Sequence, residues 1–352
     1  MPTKRELKLI AFSAVFLLFI AGCGSGEVTT GAPTTPFLGG DQSLEISFLE
    51  GNPPAEVTDG GTFPFKAVVS LKNVGEHNIA KDQINVSLIG FLPSQFNLVS
   101  PNNFDEKKLK NRNALDDLSG RQRDAEGNII EPVESFLEFP EETSKNFNFK
   151  DQIAGNNIFI FRAEACYKYL TKVKSDICIL QSQIDVVEGA ICKPSEAKAV
   201  FSSGSPIKVT SFRQNIAGSN KLQLSFDVEH SGTGNIFDPT ITANCPRDQT
   251  GRRAVEDQVI INVSTGLAIP TTTPAAAGYQ LKCVGLNDVA GAATAKQSGK
   301  VKIINGKRTI TCTLDMPTER TDFIKPVDII IDFNYAQNAD KEVLVKHIIT
   351  NP

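Results

Sequence analysis

From residue 43 onward, apolar and polar residues alternate with a period of two. The run LEISFLE places Leu44, Ile46 and Phe48 on one face of the chain and Glu45 and Ser47 on the other. TFPFKAVVSLKN and KDQINVSLIGF repeat this pattern, with Gly, Pro, Asn and Asp between the runs. Alternation of this kind, broken by turn-forming residues, is typical of half-buried antiparallel strands.

The same pattern continues through the second half of the chain. NNIFIFRAEACYKYL, QVIINVS, YQLKCVG, RTITCTL and VDIIIDFNY all have the composition of strands. Asn305-Gly306 between KVKII and KRTITC predicts a two-residue hairpin turn, since such a turn needs positive φ at both positions. The sequence therefore predicts an all-β protein built of antiparallel sheets.

Two parts of the chain resemble each other at a spacing near 157 residues. Residues 69–80 (VSLKNVGEHNIA) align without a gap to residues 226–237 (FDVEHSGTGNIF), which pairs Gly75 with Gly232. The alternative is a chance match between two β-rich stretches. A repeat predicts two copies of one domain type. We place them at residues 41–200 and 201–352, with an exposed charged insertion at residues 102–132 in the first.

At these residues the chain resembles a known family. NPPAEVTDGGTFPFKAVVSLKNVG is similar to the immunoglobulin-like, CARDB-like modules of prokaryotic surface proteins, and the second copy fits less closely. The resemblance implies two immunoglobulin-like antiparallel β-sandwich domains that serve as spacers or binding platforms. It carries no catalytic residue with it.

The N-terminus has the pattern of an export signal. Basic residues precede an apolar run of about 14 residues that ends at Gly22, whereas a bilayer-spanning helix needs about 20. Ile20, Ala21, Gly22 and Cys23 resemble the lipobox of prokaryotic lipoproteins, which implies cleavage before Cys23 and a diacylglyceryl group on its thiol. The alternatives are an ordinary cleaved signal or an uncleaved anchor, with Cys23 incidental. We interpret residues 1–22 as a signal peptide and residues 23–40, rich in Gly, Ser, Thr and Pro, as a flexible tether.

Apart from Cys23, the chain has six cysteines, an even number that can pair fully in disulfides. In an exported chain this predicts three bonds. We expect Cys166 to pair with Cys178 across a hairpin turning near Lys172. The other two expected pairs are Cys283–Cys312, on nearby strands, and Cys192–Cys245, which would join the two halves.

Composition and motifs narrow the function classes. The formal charge of −4 becomes −6 when residues 1–22, which carry three basic residues and one acidic residue, are removed. An acidic chain with no Trp and four Tyr lacks the basic surface and stacking aromatics of a nucleic-acid-binding protein. No CxxC or recognised catalytic motif occurs, so we expect no metal, no cofactor and no catalytic residue. His77, His230 and His347 are interpreted as turn or strand residues.

Two sequons remain, at Asn85 and Asn262, both in the sequence INVS. The alternation turns both asparagines outward, so glycosylation is sterically allowed.

Taken together, the export signal, the β-rich pattern and the lack of catalytic motifs favour a non-enzymatic lipoprotein held to a membrane outside the cytoplasm. It would act as a binding, adhesion or structural module on a protein or polysaccharide of the envelope. An accessory or substrate-binding subunit of an envelope enzyme or transport complex is the alternative.

Overall fold

A computed structural model of the chain describes residues 35–97, 110–111, 116–141, 145–241, 245–269 and 278–348. The expected signal peptide (residues 1–22), Cys23, most of the expected tether and residues 102–109 and 112–115 of the charged insertion lie outside the described residues. Within them the protein is almost entirely β, with four sheets, one short α-helix and two 3₁₀ turns, so the all-β prediction is confirmed. The helix is α1 (Gln249–Val255), and the 3₁₀ turns are Lys81–Gln83 and Pro93–Phe96.

Two of the sheets belong to opposite halves of the chain. The first-half sheet has the order β1-β3-β8, and the second-half sheet has the order β10-β12-β13-β19-β16. Their strands are β1 (Leu44–Phe48), β3 (Ala67–Asn73), β8 (Ser135–Phe139), β10 (Glu196–Lys198), β12 (Ile207–Gly218), β13 (Lys221–His230), β16 (Gln280–Cys283) and β19 (Lys307–Asp315).

The third and largest sheet combines strands of both halves in the order β17-β18-β15-β20-β9-β4-β5, with β2 and β14 also on β20 and β11 on β9. A separate hairpin is formed by β6 and β7. Among the strand pairings of the described residues, only that of β2 with β20 is parallel. These strands are β2 (Glu56–Thr58), β4 (Ile84–Ile89), β5 (Lys110–Asn111), β6 (Gln122–Arg123), β7 (Ile129–Ile130), β9 (Asn157–Ile179), β11 (Val200–Ser202), β14 (Asn235–Phe237), β15 (Gln258–Ala268), β17 (Asn287–Asp288), β18 (Thr294–Lys302) and β20 (Phe323–Lys346).

The large sheet is built around one unusually long strand pair. β9 and β20 run antiparallel in continuous register, from Asn157 opposite Val345 to Ile179 opposite Phe323. The hairpin expected near Lys172 is therefore wrong, because β9 continues straight through that position. We call this strand pair the seam, since it joins the two halves. The division into domains at residue 200 stays a prediction.

The strand order on the two sides of the seam is the same. β4 pairs with β9 in the first half and β15 pairs with β20 in the second. The sheet opposite them runs β1-β3-β8 in the first half and β12-β13-β19 in the second. The repeat recognised in the sequence thus corresponds to a repeated β-sandwich topology, with an approximate two-fold relation across the seam.

Aromatic side chains join the two cores at the seam. Tyr167, Tyr169, Phe333 and Tyr335 are each at most 1% exposed, and neighbouring ring centroids lie 6.0 to 6.1 Å apart. Such spacing suits the edge-to-face and tilted contacts that aromatic rings prefer. Most buried apolar residues of both halves consequently belong to one continuous core, and a small separate cluster surrounds Cys166 and Cys245.

The charged insertion is attached to this core at its C-terminal part. Leu118 is 2% exposed, and its backbone exchanges two hydrogen bonds with Ile79, at 2.9 and 3.0 Å. Asn73 Nδ2 also donates to the Leu118 carbonyl, at 2.9 Å. Leu118 is thus an exception to the expectation that the insertion is exposed, whereas most of residues 116–132 are exposed or half-buried.

Candidate functional site

Each half contains a glycine turn packed against a buried tyrosine. In the first half the turn after β3 passes so close to Tyr169 that a Cβ atom on Gly75 would lie 2.0 Å from the tyrosine hydroxyl. That hydroxyl accepts a hydrogen bond from the His77 backbone N–H at 3.1 Å and donates to the Gly204 carbonyl at 3.2 Å. Only glycine fits here, and the tyrosine hydroxyl takes the place of water as a hydrogen-bond partner of the backbone at the turn.

The second half repeats this arrangement around Tyr335. A Cβ atom on Gly232 would lie 2.3 Å from the Tyr335 hydroxyl, and the Gly234 backbone N–H donates to the same hydroxyl at 2.7 Å. His230 Nε2 lies 3.0 Å from it. Burial raises the pKa of Tyr335 to about 12, and burial also raises the pKa of Tyr169, so both hydroxyls keep their protons.

A cavity opens beside the turn in each half. The first turn cavity has a volume of about 240 Å³ and lies at the 75–77 turn, and the second turn cavity has a volume of about 340 Å³ and lies at the 231–235 turn. Each is completed by residues near the start of the other half. Ser203 lines the first cavity, and residues 41–46 line the second.

The two cavities differ in charge. Three cationic side chains line the first, those of Arg121, Arg123 and Lys172, together with one carboxylate, that of Glu76. The second has no cationic side chain in its lining and is bounded mainly by hydroxyl, amide and carboxylate groups: Asp41, Gln42, Ser43, Glu45, Ser231, Thr233, Asn235, Tyr335, Gln337 and Asn338.

In the first turn cavity, the Glu76 side chain holds neighbouring segments in place through hydrogen bonds. Its carboxylate accepts hydrogen bonds from the backbone N–H groups of Leu38 at 2.9 Å, Gly39 at 2.8 Å and Gly204 at 2.5 Å. These bonds hold the start of the described chain and the 203–205 segment against the turn. A carboxylate with three N–H donors is largely satisfied by the protein itself.

His77 lines this cavity, and its pKa is affected by burial and by nearby charges. Its ring packs edge-on against Tyr169 with centroids 5.2 Å apart. Burial, reinforced by the charges of Lys172 and Lys168, lowers the pKa of His77 to about 4. The imidazole is therefore neutral near pH 7, and the positive charge of the cavity comes from its arginine and lysine side chains.

Arg121 is positioned by the insertion. The Arg121 backbone N–H donates to the Gly75 carbonyl at 2.7 Å, and the neighbouring Gly120 N–H donates to Asn78 Oδ1 at 2.9 Å. Nε of Arg121 is buried and has no hydrogen-bond acceptor among the described residues. Sequence reasoning missed this residue, because it comes from a charged stretch interpreted as solvated.

The six cysteines form three disulfides, and one expected pair is confirmed. Cys283–Cys312 occurs as expected between neighbouring strands. The other two expected pairs are wrong, because β9 is a single strand and separates two of the cysteines by 12 residues along its length. The bonds that form instead are Cys178–Cys192 and Cys166–Cys245.

The sequons and the third histidine lie elsewhere. Asn85 on β4 and Asn262 on β15 are partly buried on the large sheet, and Asn262 Nδ2 donates to Asp332 Oδ2 at 3.1 Å. His347 Nδ1 lies 2.6 Å from Asp59 Oδ2, and Asp59 also accepts from the backbone N–H groups of Ile153 and Ile348. These bonds lower the pKa of Asp59 to about 2.

Within the described ranges, no three His, Cys, Asp or Glu side chains come close enough together to hold a metal ion. None of the helices in the described part of the chain is long and apolar enough to span a bilayer. Three disulfides indicate that the described part of the chain folds in an oxidising, extracytoplasmic setting. No protein-family model and no curated protein matches the chain.

Proposed function

We propose that this chain is a non-enzymatic envelope lipoprotein that holds a rigid pair of immunoglobulin-like β-sandwiches outside the cytoplasm as a binding or structural module. The observation that carries the proposal is the seam. A strand pairing of 23 residues on each side, with a shared aromatic cluster, leaves no flexible linker between the two halves. A chain built this way is suited to present surfaces at fixed positions.

The disulfides support the same proposal. One of them joins the seam to the segment after β14, another closes a surface loop, and the third joins two neighbouring strands. Cross-links of this kind stabilise folded chains where no reducing system or cytoplasmic chaperone is present. The resemblance to CARDB-like modules favours binding or spacing over catalysis.

The lipobox-like sequence supports attachment to a membrane through Cys23. Burial of acyl chains contributes about 0.8 kcal/mol per methylene, so more than one chain holds a protein stably on a bilayer. The test is the intact mass of protein extracted from its native envelope. A chain that begins at Cys23 and carries acyl groups supports the proposal, whereas an unmodified chain that begins at Met1 refutes the anchor. The variant Cys23→Ser is the control, and its mass should show no acyl groups.

Pull-down from native membranes after cross-linking separates the two functional classes. Recovery of surface polymer, or of other cells, supports an adhesion or structural module. Recovery of one stoichiometric protein partner supports an accessory subunit instead. Hydrolytic activity of the purified protein that survives alanine replacement of all three histidines would refute both.

A further inference from the structure

The three cationic side chains of the first turn cavity are not required to stabilise the fold. Arg123 and Lys172 are exposed and have no carboxylate partner among the described residues. Arg121 Nη2 lies 3.4 Å from Glu131 Oε1, but Glu131 also lies 4.0 Å from Lys72 Nζ, so it does not neutralise Arg121 alone. Three cations that face one cavity repel each other unless an anion is present.

The carboxylate of Glu76, which lines the cavity, does not serve as the anion for these three cations. Glu76 already accepts three backbone N–H groups, and those donors lie on the segments that it anchors. The buried Nε–H of Arg121 has no acceptor among the described residues. A donor this fully buried cannot reach a ligand in the cavity, so Arg121, whose side chain is 29% exposed, would bind one through its Nη groups.

We propose that the first turn cavity binds a phosphate group. Two guanidinium groups and one ammonium offer more N–H donors than the two oxygens of a carboxylate can accept, whereas a phosphate presents three or four oxygens. Guanidinium groups also match phosphate in geometry, because they can donate two parallel bonds. Phe37 and Leu170 add an apolar wall against which the carrier of the phosphate can pack.

The second turn cavity is the internal control that the repeat provides. It occupies the corresponding turn above Tyr335, yet its lining contains carboxylates and no cation. Lys172 lies three residues after Tyr169, and Asn338 lies three residues after Tyr335, so the same strand position is charged in one half and neutral in the other. The basic lining is therefore not a requirement of the turn. The proposal goes beyond the proposed function, because it applies to an unanchored chain as well.

The test uses the full chain and measures the binding of inorganic phosphate by calorimetry and by the ring signals of its three histidines in NMR. Phosphate at the cavity should move the His77 signals and raise the His77 pKa, while the His347 signals stay unchanged. Arg123→Gln with Lys172→Gln should weaken binding at least tenfold. The matched control is Arg213→Gln with Lys282→Gln, which removes one exposed arginine and one exposed lysine from the second-half sheet and should bind as the wild type does.

Three further probes identify the source of the phosphate. Glycerol 1-phosphate represents a monoester, glycerophosphoglycerol represents the diester of a lipid headgroup or polymer, and glucuronate represents a carboxylate. Binding of the diester as tightly as the monoester points to a lipid or polymer, and loss of diester binding points to free or terminal phosphate. Tighter binding of glucuronate than of phosphate would overturn the assignment. So would equal phosphate binding by the two double variants, or a His77 signal that does not move in millimolar phosphate.

Discussion

Replacing Gly75 by alanine is the most direct test of the packing of the first-half turn against Tyr169. The added Cβ would lie 2.0 Å from the Tyr169 hydroxyl, 2.8 Å from the Gly204 carbonyl oxygen and 2.9 Å from the Gln42 carbonyl oxygen. Real Cβ atoms do not come this close to other atoms, and two of the three neighbours are backbone that cannot rotate away. The turn must therefore move out of its packing with β9.

The expected cost follows from the overpacking of a closed site. Extra methyl groups in well-packed cores cost about 1–3 kcal/mol, and backbone neighbours place this site at about 3 kcal/mol. For a unit of this size that loss lowers Tm by about 6 °C. The matched control is Gly218→Ala on β12, where the nearest atom would be Lys221 Cβ at 3.7 Å. We expect the control to change stability by at most about 0.5 kcal/mol.

Tyr169→Phe turns this comparison into a double-mutant cycle. Alone it removes the hydroxyl that bonds His77 N–H and the Gly204 carbonyl, at a cost of about 2 kcal/mol. Combined with Gly75→Ala it also removes the closest clash, so the double variant should lose at least about 1 kcal/mol less than the sum of the two single losses. The assay is urea unfolding with the disulfides intact. Equal midpoints for Gly75→Ala and Gly218→Ala, or strictly additive losses in the cycle, would refute the packing argument.

Other predictions concern the cross-links and the titrating groups. Alanine replacement of both residues of Cys166–Cys245, which are 79 residues apart, should cost about 4.5 kcal/mol, and that of Cys178–Cys192, which are 14 apart, about 3 kcal/mol, as measured by urea unfolding. Peptide mapping without reduction should recover both pairs. The folded pKa of His77, about 4, lies below its unfolded value near 6.5. Its contribution to stability is therefore complete above pH 6.5 and falls as pH drops toward 4, and His77→Gln should flatten the Tm profile in this range. The folded pKa of Asp59, about 2, gives a contribution that is present above pH 4 and lost as pH falls through 2, so Asp59→Asn should lower Tm at pH 7 but not below pH 2.

Alternation along the chain was sufficient to predict the fold class, because a strand with one buried face has a readable period. It failed at residues 166–178, where a hairpin was expected and a single strand occurs. Residues 169–174 (YLTKVK), around the expected turn, contain no Gly, Pro, Asn, Asp or Ser, so the absence of a turn residue there was the signal that could have corrected the prediction. Twelve residues of extended strand cover about 40 Å, far beyond the reach of a disulfide between Cys166 and Cys178.

The candidate site was less accessible to sequence reasoning. Gly75 and Gly232 were paired by the repeat, so the turns themselves could be located. The charges beside the first turn come from positions 51 residues apart, Arg121 in the insertion and Lys172 on β9. No spacing rule connects them, since the hydrogen bonds of Leu118 and Arg121 to the 75–79 segment bring the insertion back to the turn. Only the three-dimensional arrangement shows that they line one cavity.

The approximate two-fold relation explains where the two halves are free to differ. Its centre lies at the pairing of Lys168 with Asn334, flanked by Tyr167 opposite Tyr335 and by Tyr169 opposite Phe333. Substitutions in this cluster affect both cores at once, because the rings pack across the seam. Pairing the two halves edge to edge also removes one exposed edge from each, which protects long β-strands from pairing with other molecules. Tyr335 of this cluster also lines the second turn cavity, whereas Arg121, Arg123 and Lys172 of the first cavity lie outside the cluster and can change without disturbing its rings. The basic lining of one cavity and the neutral to acidic lining of the other are therefore compatible with one repeated scaffold.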